Sequence, residues 1–219
     1  KSPRTIQFRF KPENITTSTS PNFGLISPSQ SLWDANNTLS TLSSIVLEYT
    51  GSGLTSGSYS GSIKDPYYQY GTLKYINAVG VSASIYLPFF DGGWWSVMAT
   101  VDSNHTASLY SGNKIYNGKD GTSIGYLSSS SAPADGWDVL DLYSNFAKPR
   151  TGYSNFSGSL QEIRYYAPTI SESVFKDYIM NPLSIEGNSI NSSPNELAFR
   201  AALGSELDTS TATTQVSIH

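Results

Sequence analysis

The stretch FSGSLQEIRYYAPTISESVFKDYIMNP, residues 156–182, changes its hydrophobic period halfway. Its first half, GSLQEIRYY, reads as a β-strand. After a turn, Val174 and Tyr178 fall at i and i+4, as do Phe175 and Ile179, which makes one apolar helical face. Ser171 is placed to cap that helix and Pro182 to stop it, so the pattern predicts a helix over Glu172–Met180.

Upstream, the chain is written in strand periods. TIQFRFKP sets Ile6, Phe8 and Phe10 on one face and Thr5, Gln7 and Arg9 on the other. The segment from Asn14 to Ser31 is polar and rich in Ser, Thr and Pro. SIVLEYTGSG repeats the alternation through Ile45, Leu47 and Tyr49, and the Gly/Ser tract from Gly51 to Ser62 reads as a mobile loop. YGTLKYINAVG and VSASIYLPFF are two short strands around a turn. GGWWSVMATVDSN is the clearest strand, with Trp95, Val97, Ala99 and Val101 on one face and Trp94, Ser96, Met98 and Thr100 on the other. In TASLYSGNKIYNGKDG, Ser-Gly-Asn and Asn-Gly-Lys-Asp-Gly supply turn residues between further strands, and GWDVLDLYSNF adds another.

About ten short strands and one late helix predict an all-β fold, a two-sheet antiparallel jelly-roll sandwich. Residues 1–183 would form that sandwich. Residues 184–219 read as a linker followed by a stretch alternating through Leu197, Phe199 and Ala201, either a last strand or the start of a following module. Because it starts without Met, directly in strand-like alternation, the chain reads as a piece of a longer polypeptide or a processed product.

The 219 residues include fifteen Tyr and four Trp, while only 14% are charged, so solubility rests on hydroxyls and amides. A net charge of −4 without a run of Lys or Arg argues against a nucleic-acid partner. No apolar stretch approaches the roughly eighteen residues of a membrane span. The absence of Cys excludes disulfides, thiolate metal sites and cysteine nucleophiles.

The strand with Phe156, Gly158, Leu160, Glu162, Ile163, Tyr165 and Tyr166, followed by a turn and a short helix, resembles the closing signature of the concanavalin A-like jelly rolls, the laminin-G-type lectin/glucanase superfamily. Trp95, Val97, Val101, Asp102, Leu109 and Tyr110 are similar to that family's Trp-led strand, acidic turn and Leu-Tyr strand. Two departures remove carboxylates: Ser111-Gly112-Asn113 stands where many members carry an Asp-Gly turn, and Gln161 replaces the acidic residue before Glu162. The resemblance implies the sandwich fold, with the helix as a cap over one end. It leaves function open among lectins, glycosidases, adhesion domains and virion proteins.

The glycosidases of this fold need paired carboxylates on one strand. No Glu-x-Asp-x-x-Glu string occurs, and Asp135, Asp138 and Asp141 are spaced so that neighbours fall on opposite faces, which reads as turn and strand-end acids. His105 reads as a turn histidine, and only the terminal His219 accompanies it. Asp102, Asn104 and Asp120 offer hard oxygen ligands for calcium if their loops converge, with ordinary Asx-turns as the plainer reading. Trp94, Tyr67, Tyr68 and Tyr70 are candidates for a glycan platform or an interface, since exposed aromatic faces stack on sugars and also pack between subunits.

The reading that follows is a non-enzymatic module of a larger surface assembly, a virion structural or attachment protein, extracellular or on the virion surface. Its partners would be neighbouring subunits or host glycans. A free or secreted lectin-type carbohydrate-binding domain is the alternative, and a glycoside hydrolase a remote one.

Overall fold

The computed structural model describes residues 4–13, 22–27, 43–52, 69–77, 80–134, 145–146, 152–184 and 196–203. Its strands are β1 (Thr5–Pro12), β2 (Asn22–Ser27), β3 (Ser44–Ser52), β4 (Gln69–Ile76), β5 (Ser82–Leu87), β6 (Trp95–Val101) and β7 (Ala107–Tyr116). β8 (Thr122–Ser130), β9 (Asn145–Phe146), β10 (Ser154–Asn155), β11 (Gly158–Tyr166) and β12 (Leu197–Ala201) follow, with the helix α1 (Glu172–Met180) between the last two. They form an all-β sandwich of two sheets. The first runs β12-β11-β1-β6-β7-β8 and the second β10-β2-β3-β4-β5, with β9 also on β2. Every pairing is antiparallel except β10 on β2.

The core between the sheets follows from the period-two pattern. Ile6, Phe8 and Phe10 face it from β1, and Trp95, Val97, Ala99 and Val101 from β6. Ile45, Leu47, Leu73, Tyr75, Ile85 and Leu87 meet them from the second sheet. Phe10 bridges Phe89 and Phe156 at centroid distances of 5.6 and 6.1 Å, and Phe89 meets Trp95 edge-on at 5.0 Å, the tilted geometries that aromatic quadrupoles favour.

The polar faces of the same strands are buried too: Thr5, Gln7, Ser96 and Thr100 are inaccessible. The cause is α1, which lies across the outer face of the first sheet rather than over an end of the sandwich. Val174, Phe175, Tyr178 and Ile179 pack there with Met98, Tyr166 and Ile170 in a second core, flanked by Tyr110, Ile124 and Tyr126. Ser171 takes the extended N-cap conformation but makes no side-chain cap; its hydroxyl bonds that of Ser173 at 2.8 Å. Glu172 instead fixes the first turn to β8, accepting from the Tyr126 hydroxyl at 2.7 Å and pairing with Lys176 at 2.7 Å. A Cβ at Gly112 would lie 2.8 Å from Ile179 Cδ1 and 2.7 Å from the Gly125 carbonyl, so this position sets how closely the helix approaches.

β11 carries a bulge where it pairs with β1: Gln7 faces Arg164, but Arg9 faces Gln161. Glu162, at φ +53°, is the residue at the irregularity. Gln161 and Glu162 therefore both project outward. The buried Glu162 carboxylate accepts from Arg164 at 2.9 Å and from Arg200 of β12 through two bonds of 2.9 Å each. Both arginines also reach back to the segment after α1, Arg164 to the Pro182 carbonyl and Arg200 to that of Leu183 at 3.2 Å. Tyr178, whose buried hydroxyl has its pKa pushed well up, donates to the Glu162 carbonyl at 2.8 Å.

Several sequence expectations are corrected. The polar segment from Asn14 to Ser31 contains β2, whose Phe23, Leu25 and Ile26 are buried; a register shift between Gly24 and Ile26 breaks the alternation that would have marked it. Ser111-Gly112-Asn113 is the middle of β7, not a turn, and Gly112 serves close approach there. The hairpin turn comes at Asn117–Gly121, where Gly118 and Gly121 take positive φ. β3 runs on through Ser52, and the rest of the Gly51 to Ser62 tract lies outside the described residues. Of GWDVLDLYSNF, only Asn145 and Phe146 are described.

The loop entering β6 is held by Asp91, whose Oδ1 accepts from the Gly93 amide at 2.8 Å and from Trp95 Nε1 at 3.1 Å. Burial pushes the Asp91 pKa above the ordinary carboxylate value, against those hydrogen bonds. A raised folded-state pKa means that the folded chain holds this proton more tightly than the unfolded one. Asp91 thus adds stability as pH falls through its folded pKa toward about 4, and that contribution is lost as pH rises. Asp91→Asn keeps an acceptor at Oδ1 and removes the titration; urea melts should show the difference from wild type growing in favour of the variant from about pH 4 toward neutrality. Gly112→Ala should lower stability by about 1–3 kcal/mol through overpacking under α1, read as a lower urea midpoint with unchanged slope. Glu162→Ala, which strands Arg164 without its carboxylate, should cost about 3–5 kcal/mol in the same assay.

Candidate functional site

The helix covers only part of the outer face of the first sheet. Beyond its C-terminal end a strip remains, and the register assigns its residues. Arg9 pairs across to Gln161 on one side and Ser96 on the other, and Ser96 pairs with Gly112. Phe10 pairs with Trp95, so one step further Lys11 stands opposite Trp94, and Lys114, two residues after Gly112, stands on the other flank of Trp94. Tyr116, two further along β7, projects from the same face and is 77% exposed.

Arg9 and Trp94 form the centre of this strip. The guanidinium carbon sits 5.1 Å from the centroid of the half-buried indole, a cation–π contact. Arg9 Nη1 donates to Gln161 Oε1 at 3.2 Å, while Nε has no hydrogen-bond partner among the described residues. Burial lowers the Arg9 pKa, and the nearby Tyr178, Glu162 and Tyr116 act in the opposite direction. The side chain stays cationic, because a guanidinium is not deprotonated in proteins. A flat ring edged by planar, oriented donors can stack on the apolar face of a sugar and bond its hydroxyls.

The aromatic candidates are divided by the fold. Trp94 lies on the face opposite Trp95, as alternation requires, and is half-buried. Tyr70 is not in an open loop: it belongs to β4, is buried, and stacks on Tyr86 at 5.1 Å. Tyr67 and Tyr68 lie outside the described residues. Arg9, Gln161 and Tyr116 join Trp94 instead. Alternation places Arg9 outward, but that it meets Trp94 follows from β1 pairing with β6, a contact between distant segments.

The structure does not bring the three calcium candidates together. Asp102 Oδ1 accepts from the amides of Asn104 at 2.8 Å and Thr106 at 2.9 Å, an Asx-turn in the β6–β7 hairpin. Asp120 lies in the β7–β8 hairpin, at the other end of the ten-residue strand β7, roughly 30 Å away at strand rise. No group of three His, Asp or Glu among the described residues is placed to hold a metal. His105, at φ +58°, belongs to the same turn as Asp102, its amide donating to the Asp102 carbonyl at 3.3 Å. Asp135, Asp138, Asp141 and His219 lie outside the described residues. No helix among the described residues is long and apolar enough to cross a membrane.

No protein-family model and no curated protein matches this chain. Among solved structures it is similar to the enzymatically active domain of tailspike protein 2 of bacteriophage CBA120, at 15% identity and a TM-score of 0.46, over 92% of this chain and 26% of that one. It is also similar to full-length tailspike protein 2 from Escherichia coli O157:H7 bacteriophage CAB120, at 14% identity and a TM-score of 0.39, over 92% of this chain and 24% of that one. The chain thus spans about a quarter of the length of each. None of these comparisons identifies the concanavalin A-like superfamily. The expectation of a chain without enzymatic activity is corrected, because the first of these structures is described as an enzymatically active domain, and a sandwich lacking a recognisable carboxylate string does not exclude one.

Proposed function

We propose that this chain is an attachment module of a larger virion-surface assembly, a β-sandwich that presents the outer face of its first sheet to host-surface glycans. The observation that carries the reading is the Arg9–Trp94–Gln161 cluster, with Tyr116 projecting beside it at 77% exposure. The half-buried indole of Trp94 is backed by the Arg9 guanidinium, so little side-chain freedom is lost when a sugar stacks on it. Arg9 brings guanidinium donors over the ring and Gln161 an amide beside Arg9, at a spacing fixed by the register and the bulge at Glu162. A chain with only 14% charged residues, polar mainly through hydroxyls and amides, suits contact with hydrated polysaccharide.

The test is retention on immobilised bacterial surface polysaccharide. Trp94→Ala and Tyr116→Ala should each weaken retention roughly tenfold or more, the effect of losing about 1.4 kcal/mol of contact. Their melting temperatures should stay near wild type, since neither residue belongs to a buried core. Wild-type retention by both variants would overturn the proposal. Sampling the same incubations for new reducing ends separates holding the polymer from cutting it.

A further inference from the structure

Most other cations among the described residues are in ion pairs, and those around Trp94 are not. Lys74, Lys176, Arg164 and Arg200 each have a carboxylate oxygen within 2.9 Å. Arg9, Lys11 and Lys114 flank Trp94 in adjacent register positions of β1 and β7, and none of the three is in an ion pair among the described residues. Lys119, in the turn just beyond Tyr116, extends the same positive end of β7 and is likewise outside those ion pairs. Arg4, the remaining described cation, sits at the opposite end of β1.

Two of the carboxylates at this end of the sheet accept hydrogen bonds within it: Asp91 turns Oδ1 to the Gly93 amide and the Trp95 indole, and Glu13 accepts from the Ser157 hydroxyl. Lys11 acts on Asp91 through space without pairing to it, and Asp120 follows Lys119 in the β7–β8 turn. In a chain of net charge −4, three cations that make no direct ion pair among the described residues stand around one aromatic ring and leave a local positive field that a neutral sugar would not use. Arg9 lies over the indole, and Lys11 and Lys114, exposed and half-exposed, stand on either flank. That arrangement matches a polymer whose sugars stack in series and carry negative groups at their edges.

Resting on the glycan reading above, we infer that the polymer taken by the Trp94 strip is an anionic one, bearing carboxylate or phosphate on its sugars. The complementarity is electrostatic at Lys11 and Lys114 and apolar at Trp94 and Tyr116, so the two parts respond separately to salt and to truncation.

The experiment compares binding of the full chain to polygalacturonate, to a phosphodiester-linked polysaccharide, to neutral dextran and to single-stranded DNA, each at about 20 mM and about 200 mM salt. One or both acidic polysaccharides should bind at least tenfold more tightly than dextran, and the preference should shrink at the higher salt; which of them binds tells carboxylate from phosphate. Lys11→Gln and Lys114→Gln, on exposed or half-exposed side chains, should each weaken acidic binding about three- to fivefold without changing the melting temperature. Salt-independent binding to dextran that is lost in Trp94→Ala would overturn the anionic inference and leave glycan attachment standing. Binding to none of the polysaccharides would overturn both. Single-stranded DNA bound as tightly as the acidic polysaccharide would overturn the assignment to a glycan.

Discussion

The docking of α1 onto the outer face of the first sheet is the constraint from which the rest of this structure follows. An antiparallel sheet in a sandwich normally buries one face and wets the other. Here β1 and β6 are buried on both, because Phe175, Tyr178 and Ile179 close over Met98, Tyr110 and Tyr126. That closure turns Gln7 and Thr100 into interior polar groups that must find partners inside. Gln7 donates to Met98 Sδ at 3.5 Å, and the Thr5 and Thr100 hydroxyls share a bond of 2.9 Å. Gly112 is where the helix comes closest, and any side chain there would push it off the sheet.

The helix needs an anchor at its far end, which Glu162 supplies. Buried charges are favourable only when their partners and remaining lone pairs are provided for. The bulge in β11 turns the Glu162 carboxylate toward Arg164 and the fork of Arg200, and the two arginines in turn hold the carbonyls of Pro182 and Leu183. One charge cluster therefore ties together three elements: the strand before the helix, the segment after it, and β12 beyond. The same bulge places Gln161 beside Arg9. The anchor of the fold and the edge of the Trp94 strip come from one irregularity.

The strip around Trp94 is what the helix leaves uncovered. Nine residues of helix stop at Met180, and past it the ends of β1 and β7, with Trp94 just before β6, carry outer side chains that are exposed or half-exposed. Trp94, Arg9 and Tyr116 share a face with the second core, but no helix lies above them. An aromatic ring and several cations at the edge of an otherwise weakly charged molecule are thus a consequence of helix length as much as of strand sequence.

Much of this was readable in the chain itself. Alternation sorted Phe8 from Arg9 and Trp95 from Trp94, and the change of period at Ser171 fixed the extent of α1, because local spacing alone decides which side chains share a face. β2 shows no clear period because a register shift beside Gly24 hides its alternation, and Gly112 in the middle of β7 reads as a turn because a glycine required by a neighbour looks like one required by the backbone. The sequence by itself determined most of the strands, the helix and the two-layer sandwich. Only the tertiary structure decided that the helix lies on a sheet face, that Tyr70 is buried, that Asp102 and Asp120 sit at opposite ends of β7, and that Arg9 meets Trp94. Each of those facts depends on which distant strands pair and in what register, and hydrogen bonding between segments far apart in the chain leaves no periodic trace in either one.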